Sequence, residues 1–108
     1  MVTIPEEIKA AVIDYVQMIE RDIPVSKAII FGSFAKGHSS SDSDVDVAIF
    51  SDYFESISRV EGITYLLRKA VGCKVDLEPV AFTNKEFEER LGIVDEIVQT
   101  GIEIHELM

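Results

Sequence analysis

Lys27-Ala-Ile-Ile-Phe-Gly-Ser33 and, after ten intervening residues, Asp44-Val-Asp-Val-Ala-Ile-Phe50 are the two stretches on which the fold turns. Each is a short β-branched and aromatic run bounded by Gly, Ser or Asp, which predicts strands over 27–31 and 45–50. The connection between them is too short for the helix-bearing crossover of a parallel pair, so the two strands are expected to be antiparallel. Gly32 and Asp44 then meet at one end of the sheet.

Side chains alternate along a strand, so Asp44 and Asp46 point the same way, about 6.5 to 7 Å apart. Two carboxylates aimed at one spot suit a hard cation such as Mg²⁺ or Mn²⁺, whose remaining ligands commonly come from substrate phosphates. Gly32 lets the backbone approach a ligand closely, and Ser33 can open a short helical turn, Phe34 to Gly37, whose N–H groups face an anion. The Ser33 hydroxyl adds a donor. Neither the Gly-x-x-x-x-Gly-Lys-Ser/Thr loop nor the Gly-x-Gly-x-x-Gly fingerprint is present, so a different grip on a metal-bound triphosphate is implied.

Gly32-Ser33, ten residues, then Asp44-x-Asp46 resembles the Gly-Ser-x₁₀-Asp-x-Asp signature of the DNA polymerase beta-like nucleotidyltransferase superfamily, and the short chain resembles its minimal nucleotidyltransferase (MNT) branch. The resemblance implies an α/β (α+β) fold like the polymerase beta palm, a mixed sheet with covering helices. It implies that Gly32 and Ser33 contact a triphosphate such as ATP, and that Asp44 and Asp46 bind two Mg²⁺ (or Mn²⁺) ions. A third carboxylate on a later strand completes the site. In Lys74-Val-Asp-Leu-Glu-Pro-Val80 that position falls on Asp76, with Glu78 on the same face as the rival; Pro79 suggests that the regular strand ends near Glu78. Many MNT sequences resemble Gly-Ser-Arg-Ala-Arg-Gly at the turn. This chain has Gly32-Ser33-Phe34-Ala35-Lys36-Gly37, so one cation is missing and the other, Lys36, is a point charge for the triphosphate rather than a bidentate fork.

Blander roles account for other polar residues. Ser39 to Ser43 reads as a solvated loop, with Asp42 in a turn and His38 exposed. His105 has no ligand-spaced partner for zinc, and Cys73 reads as a small buried hydrophobe. The 108 residues suit one domain, 1–108. A single cysteine and the absence of a signal-like segment or long apolar span point to a cytoplasmic protein away from membranes. Twenty acidic against ten basic residues, a net charge of −10, with the cations dispersed, leave no footprint for direct nucleic-acid binding.

The remaining elements follow from caps and periodicity. Thr3-Ile-Pro-Glu6 reads as a capping box before a helix bearing Ile8, Ala11, Val12, Tyr15, Val16 and Ile19 and stopped at Pro24. Phe54, Ile57, Val60, Ile63, Leu67 and Val71 predict a second core-facing helix over about 53–71, ended by Gly72. Thr83-Asn-Lys-Glu86 caps a third, Gly92 interrupts it, 93–100 resumes it, and the alternation of 102–107 predicts an edge strand.

The acceptor is implied by resemblance alone. MNT proteins resemble antitoxins paired with a helical HEPN-type ribonuclease toxin, and some transfer AMP from ATP to a toxin tyrosine. The expected activity is such a transfer onto a hydroxyl of a partner protein. The alternatives are a stand-alone small-molecule nucleotidyltransferase completed by a homodimer, and a non-catalytic antitoxin that masks its partner.

Overall fold

A computed structural model of the chain describes residues 4–37 and 44–107; Thr3, His38, Asp42 and the Ser39 to Ser43 loop therefore lie outside the described residues. The element order is α1 (Glu6–Glu20), β1 (Lys27–Phe31), α2 (Ser33–Lys36), β2 (Val45–Phe50), a 3₁₀ turn (Asp52–Glu55), α3 (Arg59–Ala70), β3 (Leu77–Phe82), α4 (Asn84–Glu89), α5 (Ile93–Thr100), β4 (Ile102–Glu103) and a final 3₁₀ turn (Ile104–Glu106). The four strands form one mixed sheet in the order β3-β2-β1-β4.

β1 and β2 pair antiparallel from Lys27 opposite Phe50 to Phe31 opposite Asp46. β2 and β3 pair parallel, joined through α3, with Val45 opposite Leu77 and Asp46 opposite Glu78. Such a crossover returns the chain to the same edge, so β2 and β3 both begin at the end where β1 finishes.

Alternation divides the core between the two faces of the sheet. Ala28, Ile30, Val45, Val47, Ile49, Leu77 and Ala81 pack against Val12, Tyr15, Val16 and Ile19 of α1 and Leu66 of α3. Ile29, Ala48, Phe50 and Phe82 pack against Phe87 and against Val94 and Ile97 of α5. Burying both faces removes apolar surface from water at about 25 cal/mol per Å², the dominant stabilisation of such a layer. The Tyr15 hydroxyl donates to the Leu66 carbonyl at 2.7 Å, tying α1 to α3 within this buried layer. Among the described residues no helix is long and apolar enough to cross a membrane.

Four expectations change. Pro5, with no side-chain hydrogen bond, stands at the N-cap of α1, so the cap lies one residue before Glu6 rather than at Thr3. The long second helix divides: Ser51 caps the 3₁₀ turn, and Ser58 with Glu61 forms a capping box that restarts the chain as α3. That restart turns Gly62 and Leu66 inward and leaves Val60, Leu67 and Val71 exposed, so these three are not core residues. Gly62 is the close-packing point, since a Cβ there would meet Ala81 Cβ and Phe54 Cδ1 at 3.1 Å. Pro79 does not end its strand: β3 is an edge strand running on to Phe82, where a missing N–H is tolerated. At the other edge, β4 spans only Ile102 and Glu103 before the chain tightens into a 3₁₀ turn around buried Ile104.

Candidate functional site

The site grows from the end of the sheet shared by β1, β2 and β3. Val45, Val47 and Ile49 are committed to the α1 side, so alternation sends Asp46 to the α5 side with Ala48 and Phe50. On β3, Leu77 and Ala81 face α1, which sends Glu78 to the same side as Asp46. The parallel register sets Asp46 abreast of Glu78. One step earlier, the Val45 N–H donates to the Asp76 carbonyl at 2.8 Å, which brings Asp44 and Asp76 to the same ladder end.

Four carboxylates thus occupy adjoining positions. Asp44, Asp76 and Glu78 line a cleft of about 500 Å³ walled by Leu67, Val71 and the turn at Cys73. The neighbouring carboxyls, Asp44 first and then Asp46, hold the Glu78 carboxyl above the usual range by favouring its protonated, hydrogen-bonding form and by the repulsion of their charges. Partial burial, reinforced by the charge of Asp44, likewise raises Asp46 against the opposing hydrogen bond with Glu78. Like charges this close repel, so a cation placed among them would be favoured.

Gly32 joins this block to the turn that follows β1. Its φ of 74° and ψ of −146° fall in a region that side chains other than hydrogen avoid. A Cβ there would collide with Asp46 Oδ2 and stand 3.2 Å from Asp46 Cγ. The Gly32 backbone therefore touches the Asp46 carboxylate with no space for a larger residue. α2 starts at once: the Lys36 N–H closes on the Gly32 carbonyl at 3.0 Å, while the N–H groups before it have no partner within the helix. No side chain caps α2, whose N-cap is Gly32, and Gly37 ends the turn at φ 75°. Phe34 is buried in the core beneath.

Lys36 carries an ion pair. Its ammonium donates to Glu96 Oε1 of α5 at 2.8 Å, across a cleft that Gly32 also lines. No local pattern signals this contact, since the two residues are 60 apart in sequence. Glu78 was legible as the residue two on from Asp76, but its contact with Asp46 depends on the β2–β3 register. The structure brings Gly32, Asp44, Asp46 and Glu78 together, places Asp76 at the same cleft, and sets Ser33 and Lys36 on the adjoining turn.

Oxygen donors on a rigid strand pair match a hard divalent cation in chemistry. Among the described residues no three His, Cys, Asp or Glu side chains already surround a common point as ligands. The Gly32 contact leaves the cradle beside Asp46 clear of side-chain carbon.

Away from this end, Cys73 is a free, half-buried thiol raised by burial, and the His105 ring contacts Glu20 and Glu103 at 3.3 Å each.

The polymerase beta nucleotidyltransferase family model matches residues 14–107. Among solved structures, the chain is similar to a crystallised protein from Sulfolobus solfataricus described as a nucleotidyltransferase, with a TM-score of 0.68 and 14% identity over 88% of this chain and 77% of that one. At that identity the likeness speaks for the fold. No curated protein matches the chain significantly.

Proposed function

Because the chain belongs to the polymerase beta nucleotidyltransferase family, we propose that it transfers AMP from ATP to a hydroxyl of a partner protein, with divalent metal held at Asp44, Asp46 and Asp76. The observation that carries this reading is the contact of Gly32 with Asp46, which leaves no room for a Cβ and unites the phosphate-facing turn with the carboxylates. A triphosphate gripped at Gly32 and Ser33 lies directly beside those carboxylates.

Charge makes the metal part of the proposal. An ATP of charge about −4 against several carboxylates meets repulsion of about 4 kcal/mol per pair at 4 Å and an effective dielectric of 20. Two Mg²⁺ or Mn²⁺ ions would supply neutralisation and polarise the α-phosphate. Asp46 in β2 and Asp44 just before it would hold them; the Gly32 and Ser33 N–H groups would orient the β- and γ-phosphates. Asp76, at the cleft, would receive the proton of the acceptor hydroxyl as its oxygen bonds to the α-phosphorus. The bond from that phosphorus to the bridging oxygen breaks, and pyrophosphate leaves.

The acceptor is assigned to a helical, HEPN-type partner, in keeping with a net charge of −10 that suits a partly basic surface. The exposed Leu67 and Val71 on the cleft wall provide apolar surface for such a body beside the carboxylates.

Calorimetry with Mg-ATP tests the site. Asp44→Asn and Asp46→Asn should each abolish binding while the protein stays folded, and unchanged affinity in both would defeat the assignment. Intact-mass analysis of the partner tests the reaction: a gain of one AMP supports it. A tight complex without mass gain supports masking, and modification of a small molecule with no partner supports the stand-alone enzyme. Asp76→Ala should cut transfer far more than Mg-ATP affinity. The same outcome in Glu78→Ala, with Asp76→Ala silent, would move the third ligand to Glu78.

A further inference from the structure

The cleft of about 190 Å³ between α2 and α5 is lined by Gly32 and Lys36 on one side and Ile93, Glu96, Ile97 and Thr100 on the other. It adjoins the turn where a triphosphate would lie, yet the cation of that turn is already engaged. Lys36 Nζ and Glu96 Oε1 are 2.8 Å apart, with side chains about half exposed at 45% and 56%. A carboxylate oxygen on the Lys36 ammonium offers the same charge-assisted acceptor that a phosphate oxygen would.

We propose that Glu96 is an internal competitor for the phosphate subsite, holding Lys36 while no nucleotide is bound and yielding it to a phosphate of a nucleoside triphosphate. This inference rests on the nucleotide reading above. An exposed ion pair contributes little to stability, so giving it up for a more highly charged acceptor costs little free energy. Once released, the Glu96 carboxylate remains beside the incoming anion and opposes it through a short, partly solvated distance. Glu96 therefore weakens nucleotide binding twice, by occupying Lys36 and by its own charge. It also favours ligands charged enough to displace it, which makes it a specificity-determining residue rather than a catalytic one.

The experiment is a double-mutant cycle in Mg-ATP affinity, measured by calorimetry on wild type, Glu96→Gln, Lys36→Met and the double variant, with Asp46→Asn as control. Glu96→Gln keeps size and removes charge. It should tighten Mg-ATP binding about two- to fivefold at low salt, the range expected of an exposed ion pair. The gain should shrink as ionic strength rises to about 0.5 M. In the Lys36→Met background the share of the Glu96→Gln gain that comes from freeing Lys36 should vanish and only the share from the Glu96 charge should remain, whereas a purely structural role for Glu96 would leave the melting temperature, not this coupling, altered. If wild type binds in an Asp46-dependent way and Glu96→Gln binds equally or more weakly, this inference is overturned and the nucleotide reading stands. A full gain retained without Lys36 overturns the exchange likewise. Absence of Mg-ATP binding in wild type overturns both.

Discussion

Replacing Gly32 by Ala tests the geometry that joins the turn to the carboxylates, and its cost has two separable parts. The backbone part comes from φ 74° and ψ −146°, close to a region reserved for glycine, and costs an L-residue about 1–3 kcal/mol. The packing part comes from the new Cβ, which overlaps Asp46 Oδ2 and crowds Cγ at 3.2 Å; overpacking of this kind costs about 1–3 kcal/mol. Their sum, about 2–6 kcal/mol, is a large share of the roughly 5–15 kcal/mol that holds a domain folded. A melting temperature lower by about 10–25 °C follows at the stability-to-temperature ratio of a domain of this size. Asp46→Ala removes the two closest contacts and leaves the one to Cβ at 3.5 Å, an ordinary van der Waals distance, so the double variant should keep the backbone part and recover the packing part. Urea denaturation of the four proteins, metal-free, should therefore give a coupling of about 1–3 kcal/mol. Gly92→Ala is the control for strain without crowding, since Gly92 has φ 58° and a Cβ there would meet nothing within 4 Å. Additivity of Gly32→Ala and Asp46→Ala within about 0.5 kcal/mol would refute the contact.

Two further perturbations probe the cluster and the core. Asp46 and Glu78 are both raised above the usual carboxylate range, so between pH about 4 and their raised values the folded chain binds more protons than the unfolded one, and their contribution to stability falls as pH rises. In metal-free buffer, Asp46→Asn with Glu78→Gln should therefore gain on wild type as pH climbs through that window, read by denaturation at several pH values; a pH-independent difference would contradict the crowding. Asp22 and Glu96 are lowered by their lysine partners and act in the opposite sense, but alike in both proteins. Tyr15→Phe removes the buried hydroxyl bonded to the Leu66 carbonyl; because that carbonyl keeps its intrahelical partner in α3, the loss should be that of one net hydrogen bond, about 0.5–1.5 kcal/mol in the same assay, and no loss would mean that α1 and α3 are not tied there.

What the sequence determined by itself was local. The bounds of β1 and β2, the capping box Thr83-Asn-Lys-Glu86 of α4, and the spacing that sets Gly32 and Ser33 against Asp44 and Asp46 are all written within a few residues. Strand alternation, side-chain caps and glycine's access to positive φ act over that range. Tertiary structure decided the rest. The phase of α3 depended on the chain breaking after the 3₁₀ turn and restarting at Ser58, so Leu66 entered the core while Leu67 and Val71 stayed outside. Pro79 could lie within β3 because the strand order made that strand an edge. Glu78 met Asp46, and Lys36 met Glu96, through a parallel register and a helix packing that no local pattern encodes. These contacts form only when segments tens of residues apart are brought together, and their partners are chosen by the packing of the whole sheet.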